Sequence, residues 1–310
     1  MTEFGRPGIL GLVPDAVAEF SSSAILPTLD EACARVGLSG RGAKLLRFGE
    51  NAIFELAGVP VVVRIARSAD RLRRVERELC FARWLAGEGV PAVRVFEEIE
   101  QPIVVDGHPV TFWRKVSGGG PAPVQADLAR LLARVHSLGD CSCELDVFEP
   151  LTTSQGRLAS AAGVDPDDLA LLRERCGSLA ELFGTLEFAL RPGPIHGDAH
   201  TGNLLTDQGE VVLLDFEAVA IGPREWDLMP TCIALERFGL SEERYREFAD
   251  VYGFDVRTWA GYPVLRAIRE LTMTTWLMQN IGEDPAIAAE FALRVDSIRE
   301  GDTSRAWTPF

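Results

Sequence analysis

The chain has 310 residues, of which 47% are hydrophobic, and its 46 acidic and 31 basic side chains give a formal net charge of −15. This length and apolar content predict a folded globular protein and exclude a disordered one. The acidic excess excludes the basic surface by which proteins bind nucleic acids and anionic membranes, so we expect neither as a partner.

The predicted elements begin with a small β-rich lobe in residues 1–117. The sequence TLDE at 28–31 forms a capping box that starts a short helix, which Gly37 ends. Three β-rich runs, KLLRFG, AIFEL and PVVVRIA, are separated by turn signals and predict an antiparallel meander. A helical period follows over 68–86, and two strand-like runs, VRVFEEI and PVTFW, complete the lobe.

A glycine-rich joint separates this lobe from a larger one. The sequence SGGGPAP is the strongest linker signal in the chain, so we expect two lobes, residues 1–117 and 118–310. The second lobe is predicted to be mostly helical, with one β-hairpin. Its helices are expected at about 128–138, 166–187, 241–252, 263–281 and 285–300. The predicted fold class is α+β and bilobed, with a small β-rich N-terminal lobe and a larger helical C-terminal lobe.

The cysteines and the chain ends give a prediction about the compartment. Six cysteines are scattered without CxxC spacing, and Cys141 and Cys143 are the only close pair. The N-terminal sequence lacks a basic segment followed by an apolar stretch, and no apolar run approaches the roughly 18 residues of a membrane span. We therefore expect reduced thiols and a cytoplasmic protein.

The residues that suggest chemistry lie in the segments HGDAHTGN and LLDFE. Pairing the hairpin strands about the turn 207–209 sets Asn203 opposite Asp215, and Asp198 on the preceding loop must lie close to both. An amide oxygen and a carboxylate, joined by a phosphate oxygen, suit Mg²⁺. Asp198 then remains available to accept a proton from a substrate hydroxyl, which is the division of labour in phosphoryl transfer.

The same segment supports a second interpretation. His196, Asp198 and His200 form an HxDxH array whose spacing allows the zinc site of a hydrolase. Such a site needs a further ligand, and the other two histidines are His108 in a predicted turn and His136 on the edge of a leucine-rich helix. A third possibility is that the loop histidines only bond backbone groups.

A second pair of residues suggests phosphate binding. Glu78 falls inside the apolar face of the helix predicted at 68–86, where an unpaired carboxylate would be strongly destabilising. Arg64 in VVVRIA offers it a partner. A strand cation paired with a helix glutamate, and able to touch phosphates, is the arrangement of kinases. A plain core salt bridge, or a Glu78 that reaches solvent, is the alternative.

HGDAHTGN followed by LLDFE resembles the motifs of the aminoglycoside phosphotransferase family, which comprises antibiotic and small-metabolite kinases with a protein-kinase-like fold. The resemblance extends from about residue 40 to the C terminus. It implies that Asp198 is the catalytic base and that Asn203 and Asp215 are the metal ligands. It further implies that His196, and Asp227 in REWDLMP, support the catalytic loop.

The resemblance also implies a nucleotide site. VSG after VTFWRK is similar to the family's hinge, so the backbone of Arg114 and Val116 is expected to bind the nucleobase, with Arg64 and Glu78 on the phosphates. Arg64 stands where a lysine is usual in kinases, and RFGENAIFEL lacks GxGxxG. The implied cofactor is Mg²⁺, with ATP as co-substrate and GTP as a second possibility.

These observations together predict a kinase that transfers the γ-phosphate of a Mg-nucleoside triphosphate to a hydroxyl of a small molecule. Residues 119–310 contain 31 acidic and 16 basic side chains, whereas the preceding residues are balanced. This acidity favours a cationic antibiotic, such as an aminoglycoside or a peptide antibiotic, as acceptor. Solubility alone also explains the acidity. A kinase of another metabolite such as an amino alcohol, a zinc-dependent hydrolase and a noncatalytic pseudokinase are the other candidate functions.

Overall fold

A computed structural model describes residues 21, 23–282 and 284–310 of the chain. The described residues form two compact units: one takes the chain up to Leu72 with Glu98–Phe112, and the other takes Arg73–Glu97 with Trp113–Phe310. The units interleave along the chain, and the lobe boundary that we expect between residues 117 and 118 stays a prediction. The first unit is rich in strands and the second in helices, which confirms the α+β class.

The strands of the small lobe form one five-stranded sheet. In chain order they are β1 (Lys44–Phe48), β2 (Asn51–Glu55), β3 (Val61–Ala66), β4 (Ile103–Val105) and β5 (His108–Arg114), and the sheet order is β1-β2-β3-β5-β4. The antiparallel meander of β1, β2 and β3 is confirmed. β-branched and aromatic side chains drive it, since alternate residues such as Val61, Val63 and Ile65 on β3 and Phe54 on β2 are at most 1% exposed.

Two predictions for this part of the chain are wrong. Helix α1 (Leu26–Arg35) begins before the expected capping box, and Thr28 is buried inside it instead of capping it. Pro27 in the first turn starts the helix, because a missing N–H costs nothing there. The run VRVFEEI is not a strand, because it makes a single bridge, between Val95 and Trp113, and no continuous ladder.

The helices of the second unit are α2 (Leu72–Gly87), α3 (Gln125–Ser137), α4 (Thr152–Ala159), α5 (Pro166–Gly184), α6 (Glu225–Arg237), α7 (Glu242–Tyr252), α8 (Tyr262–Leu277) and α9 (Pro285–Glu300). The predictions for α2, α3, α5, α7, α8 and α9 are confirmed within a few residues. Helix α5 starts as its sequence suggests, with Asp165 accepting the backbone N–H groups of Asp167 and Asp168. Helices α4 and α6 were not predicted. Most of α6 is buried, so it lacks the one-sided apolar period that reveals an amphipathic helix.

Two short strand pairs complete the second unit: β6 (Gly193–Ile195) with β9 (Ala220–Gly222), and β7 (Leu204–Asp207) with β8 (Glu210–Leu213). The hairpin of β7 and β8 is the predicted one, but its turn has two residues, Gln208 and Gly209, both at positive φ. Pairing of Asp207 with Glu210 places Leu214, not Asp215, opposite Asn203, so the predicted register is wrong by one residue. Leu214 donates its N–H to the Asn203 carbonyl at 3.0 Å.

The cysteines correct the expectation of reduced thiols. Cys80 on α2 and Cys143 after α3 form a disulfide with 5.8 Å between their Cα atoms. They are 63 positions apart, so sequence spacing could not indicate the pairing. Burial raises the pKa of the Cys33 thiol to about 11 and that of Cys232 to about 12. None of the helices in the described part of the chain is long and apolar enough to cross a membrane.

Candidate active site

The segment HGDAHTGN forms the loop between β6 and β7 and ends in the short 3-10 turn Thr201–Asn203. Gly197 allows this loop to approach the segment after LLDFE. A Cβ at Gly197 would lie 2.1 Å from the carbonyl oxygen of Ala218, and its φ of +83° favours glycine as well. The local sequence thus brings the two motifs into direct backbone contact.

A buried carboxylate on α6 holds the loop backbone. Asp227 is fully buried, and it accepts the backbone N–H of His196 at 2.7 Å and that of Gly197 at 2.8 Å. Nε2 of His136 on α3 lies 3.0 Å from the same carboxylate, and Nδ1 of His136 lies 2.9 Å from the Tyr252 hydroxyl. Three donors compensate the burial of Asp227. Sequence reasoning did not predict that His136 supports Asp227, although a histidine among leucines on a helix suggested a buried polar contact.

The ring of His196 links the two motifs. Its Nδ1 accepts the backbone N–H of Asp198 at 3.3 Å, and its Nε2 donates to the Leu214 carbonyl at 2.9 Å. Both ring nitrogens are therefore engaged with the backbone, and neither is available as a zinc ligand. In the residues that the structure describes, no three His, Cys, Asp or Glu side chains are grouped to hold a metal ion. These observations argue against the zinc-hydrolase alternative.

Asn203 and Asp215 lie at the open end of the hairpin. Asn203 is 6% exposed, and its amide nitrogen donates to the Asp198 carbonyl at 2.9 Å, so its amide oxygen is the end left for a cation. Asp215 directly follows Leu214, which pairs with Asn203, and its φ of +66° is rare for a non-glycine residue. An amide oxygen and a carboxylate are hard ligands, so this donor set fits Mg²⁺.

Asp198 is held by two side chains. Nη2 of Arg269 on α8 donates to its Oδ1 at 2.5 Å, and Nε2 of His200 lies 3.5 Å from its Oδ2. Burial opposes ionisation, but the bond from His200 and the charge and bond of Arg269 hold the pKa of Asp198 below its ordinary value. The carboxyl is thus ionised at neutral pH. Sequence reasoning missed Arg269, since nothing in a helix pattern 71 positions downstream points to Asp198.

The residues expected to bind nucleotide lie in both units. Arg64 lies on β3 opposite Ile53, and Glu78 lies on α2 and is 3% exposed, as its helical position indicated. The pairing of Arg64 with Glu78 stays a prediction. Arg114 donates its backbone N–H to the Arg94 carbonyl at 2.8 Å, and its contact with a nucleobase stays a prediction.

The segment after β5 is fastened to the hairpin of β7 and β8. The N–H of Ser117, next to Val116, donates to Oδ1 of Asp207 at 2.9 Å, and the Thr206 hydroxyl donates to the Pro121 carbonyl at 2.8 Å. A Cβ at Gly120 would lie 2.7 Å from Thr206, so the glycine-rich joint packs closely on β7. The expected hinge residue Val116 thus lies next to a residue bonded to the hairpin of β7 and β8, within the second unit.

Helix α2 packs against the LLDFE segment. Nη2 of Arg74 lies 3.1 Å from the Glu217 carboxylate, and Nε of Arg74 donates to the Glu217 carbonyl at 3.0 Å. The rings of Phe81 and Phe216 are 5.4 Å apart. The helix that carries Glu78 therefore contacts the two residues that follow Asp215, Phe216 and Glu217.

Comparisons with known structures reveal several similar proteins. Comparison with curated protein sequences gives no match. Among solved structures, an amicoumacin kinase in complex with AMP-PNP, Ca²⁺ and Ami is 17% identical, with a TM-score of 0.67, and the match covers 86% of this chain and 90% of that one. A microcompartment-associated aminopropanol kinase is 19% identical, with a TM-score of 0.66 and coverage of 85% and 94%.

A third similar structure is the GDP and kanamycin complex of APH(2")-IIia, at 17% identity and a TM-score of 0.61, with coverage of 90% of this chain and 98% of that one. At these identities the likeness concerns the fold, and it confirms the protein-kinase-like class. The model of the phosphotransferase enzyme family (APH) matches residues 50–268, which include the HGDAHTGN and LLDFE segments. The chain therefore belongs to the phosphotransferase enzyme family, and it is a phosphotransferase with an alcohol group as acceptor.

Proposed function

We propose that the protein transfers the γ-phosphate of a Mg²⁺-bound nucleoside triphosphate to a hydroxyl of a small cationic molecule. The observation that carries the proposal is the setting of Asp198. The Asp198 carboxylate is ionised and partly exposed. Asp227 and His196 hold the loop that carries it by accepting backbone N–H groups of that loop, and the Asn203 amide donates to the Asp198 carbonyl. A base with an adjacent pair of metal ligands is what phosphoryl transfer to an alcohol requires.

Asp198 performs the proton transfer in this proposal. It accepts a hydrogen bond from the acceptor hydroxyl and orients the oxygen towards the γ-phosphorus. As the new O–P bond forms and the bond to the nucleoside diphosphate breaks, the hydroxyl proton passes to the Asp198 carboxylate. Positioning contributes most of the rate in such reactions, so a rigid loop matters more than a strong base. The fully buried Asp227 supplies that rigidity by bonding two consecutive backbone N–H groups.

Asn203 and Asp215 are the proposed metal ligands. The bound Mg²⁺ would neutralise charge on the phosphates of the nucleotide. The bond from the Asn203 amide nitrogen to the Asp198 carbonyl orients the amide so that its oxygen can bind the ion. Asp215 has a left-handed backbone conformation, and such strained residues are concentrated at functional sites. The similar amicoumacin kinase was solved with AMP-PNP and Ca²⁺, which supports use of a nucleotide and a divalent ion.

Arg64 and Glu78 are proposed to position the phosphates, and the Arg114 and Val116 backbone to hold the base of ATP or GTP. A strand arginine keeps the charge of the usual lysine, and its fork binds phosphate oxygens in pairs. The similar APH(2")-IIia complex contains GDP, so both nucleotides belong in the test. We place the reaction in the cytoplasm, where nucleoside triphosphates are supplied.

The proposed acceptor is a cationic antibiotic, such as an aminoglycoside or a peptide antibiotic, and the alternative is an amino alcohol. The acidic residues 119–310 would attract either. Two similar structures support these classes: one contains kanamycin, and another is an aminopropanol kinase. Both molecules combine hydroxyl groups with protonated amines, which is the chemistry that the proposal needs.

The test is consumption of ATP and GTP with Mg²⁺ against a panel of aminoglycosides, cyclic-peptide antibiotics, macrolides and amino alcohols. We expect turnover with at least one amine-bearing hydroxyl compound. Asp198→Asn keeps the shape of the side chain but not its proton acceptor, so kcat should fall by roughly 10²-fold or more while nucleotide still binds. A folded Asp198→Asn protein with wild-type kcat, or nucleotide binding without any turnover by the wild type, would refute the proposal.

A further inference from the structure

We propose that Arg269 is a positioning residue of the phosphotransfer site, which with His200 holds the Asp198 carboxylate in the orientation that receives the acceptor hydroxyl. This inference rests on the proposed role of Asp198 and assigns a residue on a different element to it. Arg269 lies on α8, far from both motifs in the sequence, and it contacts the base directly.

The two side chains bind different oxygens of the carboxylate. Nη2 of Arg269 donates to Oδ1 at 2.5 Å, and Nε2 of His200 lies 3.5 Å from Oδ2. Rotation of the carboxylate therefore breaks at least one contact. Each carboxylate oxygen has two lone pairs, so each retains one for a further donor such as a hydroxyl. The Asp198 side chain is 43% exposed, so that donor can reach it.

The backbone sets the tautomer of His200. The N–H of Gly202 donates to Nδ1 of His200 at 3.0 Å, so Nδ1 is an acceptor and the proton of the neutral ring resides on Nε2, which faces Asp198. A Cβ at Gly202 would lie 2.8 Å from the imidazole, so glycine permits this close approach. The ring thus directs its Nε2 donor to the carboxylate.

Arg269 is itself anchored to the loop that carries Asp198. Its guanidinium carbon lies 5.5 Å from the ring centroid of Trp226, and the indole Nε1 of Trp226 donates to the Gly197 carbonyl at 2.8 Å. Trp226 is 3% exposed and cannot easily move. The guanidinium therefore contacts the indole, and the indole is hydrogen-bonded to the loop, so the guanidinium is fixed relative to Asp198.

The partner of Arg269 distinguishes it from a buried arginine with a structural role. Arg237 uses all three of its nitrogens on Glu270 and two backbone carbonyls. Arg269 instead binds a partly exposed carboxylate, that of Asp198. Through this contact it orients the proposed base.

Arg266 provides a matched control one turn earlier on α8. Its side chain is 16% exposed against 14% for Arg269, it pairs with the single carboxylate of Glu236, and its Nε, like that of Arg269, is buried without a partner in the described part of the chain. It differs in making no contact with Asp198. Substitution of the two arginines therefore separates a general effect on α8 from an effect on the base.

The experiment measures kcat, both KM values and Mg-nucleotide binding for Arg269→Ala, Arg269→Lys and Arg266→Ala. The acceptor is the best substrate of the panel or, if none turns over, water in acceptor-independent ATP hydrolysis. Arg269→Ala should lower kcat by roughly 30-fold while nucleotide KM and binding change less than about threefold. Arg269→Lys should recover part of kcat, because the charge survives while the fork and the contact with the indole are lost. Arg266→Ala should stay within about threefold of the wild type in kcat.

Two further measurements test whether Arg269 acts through Asp198. Guanidinium ion added at millimolar concentration should restore part of kcat to Arg269→Ala and none to Arg266→Ala or Asp198→Asn. In the Asp198→Asn background, Arg269→Ala should lower kcat by less than about twofold, because its effect passes through Asp198. If Arg269→Ala fails to fold, Arg269→Lys carries the same comparison.

The outcomes separate this inference from the proposed function. A wild-type kcat in Arg269→Ala and Arg269→Lys, together with a strong loss in Asp198→Asn, overturns the inference and leaves the proposed function standing. Equal losses in the Arg269 and Arg266 variants, or full additivity with Asp198→Asn, also overturn it. A wild-type kcat in Asp198→Asn refutes the proposed function itself, and the inference with it.

Discussion

His136 and Asp227, which are 91 positions apart, meet in the interior with 3.0 Å between Nε2 and Oδ2. The same carboxylate bonds the backbone of the loop that carries Asp198. Helix α3, helix α6 and the HGD loop are thus joined at one buried group, and the support of the proposed base comes from well outside its own motif.

The first prediction concerns this carboxylate. Asp227→Asn replaces one acceptor oxygen with an NH₂ group that faces a backbone N–H or a histidine donor. We expect loss of about 2 kcal/mol of unfolding free energy and a fall in kcat of at least about tenfold. Urea unfolding and steady-state kinetics measure both. The control is Asp250→Asn on the exposed face of α7, which should change neither. An Asp227→Asn protein as stable and active as the wild type contradicts the assigned support.

The second prediction concerns Gly197. Gly197→Ala places a Cβ 2.1 Å from the Ala218 carbonyl oxygen at a φ of +83°, so the loop must shift away from its neighbour. Activity should fall by roughly tenfold or more, with a loss of about 1–3 kcal/mol in stability.

Gly177→Ala on the exposed side of α5 is the matched control for this substitution. Nothing lies within 4 Å of its added Cβ, so the alanine should stabilise the protein by about 0.5–1 kcal/mol. The two alanine variants should move in opposite directions in a thermal melt. If they move together, the close approach of the loop does not matter.

Short-range signals predicted much of this site. The hairpin turn, the strand patterns and the HGD motif place Asp198, Asn203 and Asp215 on one loop and hairpin, because their positions depend only on local pairing. The register was wrong by one residue, since the sequence around Gln208-Gly209 indicates a turn but not the pair of residues that closes it.

Contacts made at long range were not predictable. Arg269 and His136 reach the site from α8 and α3, and only the packing of those helices brings them there. Helix α6 escaped prediction because it is buried on most sides and contains Pro230, so it lacks both an amphipathic period and an uninterrupted helical sequence. The catalytic loop is therefore supported by residues whose contacts with it cannot be predicted from local sequence patterns.

The third prediction concerns the metal. Asp215→Ala removes one of the two proposed protein ligands, so Mg²⁺-dependent nucleotide binding and turnover should fall together. Asn203→Ala should act in the same direction more mildly, because a neutral ligand contributes less. A titration of nucleotide binding against Mg²⁺ measures the shift, with Glu210→Ala on the exposed end of β8 as control. Unchanged Mg²⁺ dependence in Asp215→Ala would show that the ligands lie elsewhere.

The fourth prediction concerns Arg64 and Glu78. If the two form the phosphate-positioning pair, Arg64→Ala should weaken kcat/KM strongly and Arg64→Lys should retain part of it. The double variant Arg64→Ala, Glu78→Ala should cost less than the sum of the single changes, with a coupling of about 0.5–3 kcal/mol. Glu76→Ala on the exposed face of α2 is the control that should not couple. Strict additivity for Arg64 and Glu78 means that they do not interact.

The last prediction uses the uneven charge of the chain. Residues 119–310 contain 31 acidic against 16 basic side chains, so a cationic acceptor approaches an attractive field, whereas in the proposed reaction the nucleotide binds through Mg²⁺. Attraction between exposed charges fades beyond a Debye length of about 8 Å at physiological salt and 3 Å at 1 M. The kcat/KM for the acceptor should therefore fall clearly between about 0.05 and 0.5 M salt, while the nucleotide KM changes less.

The control is a neutral or anionic acceptor from the same panel, whose kcat/KM should not fall. Salt-independent kcat/KM for a cationic acceptor, or a neutral compound as the best substrate, would show that the acidity serves solubility.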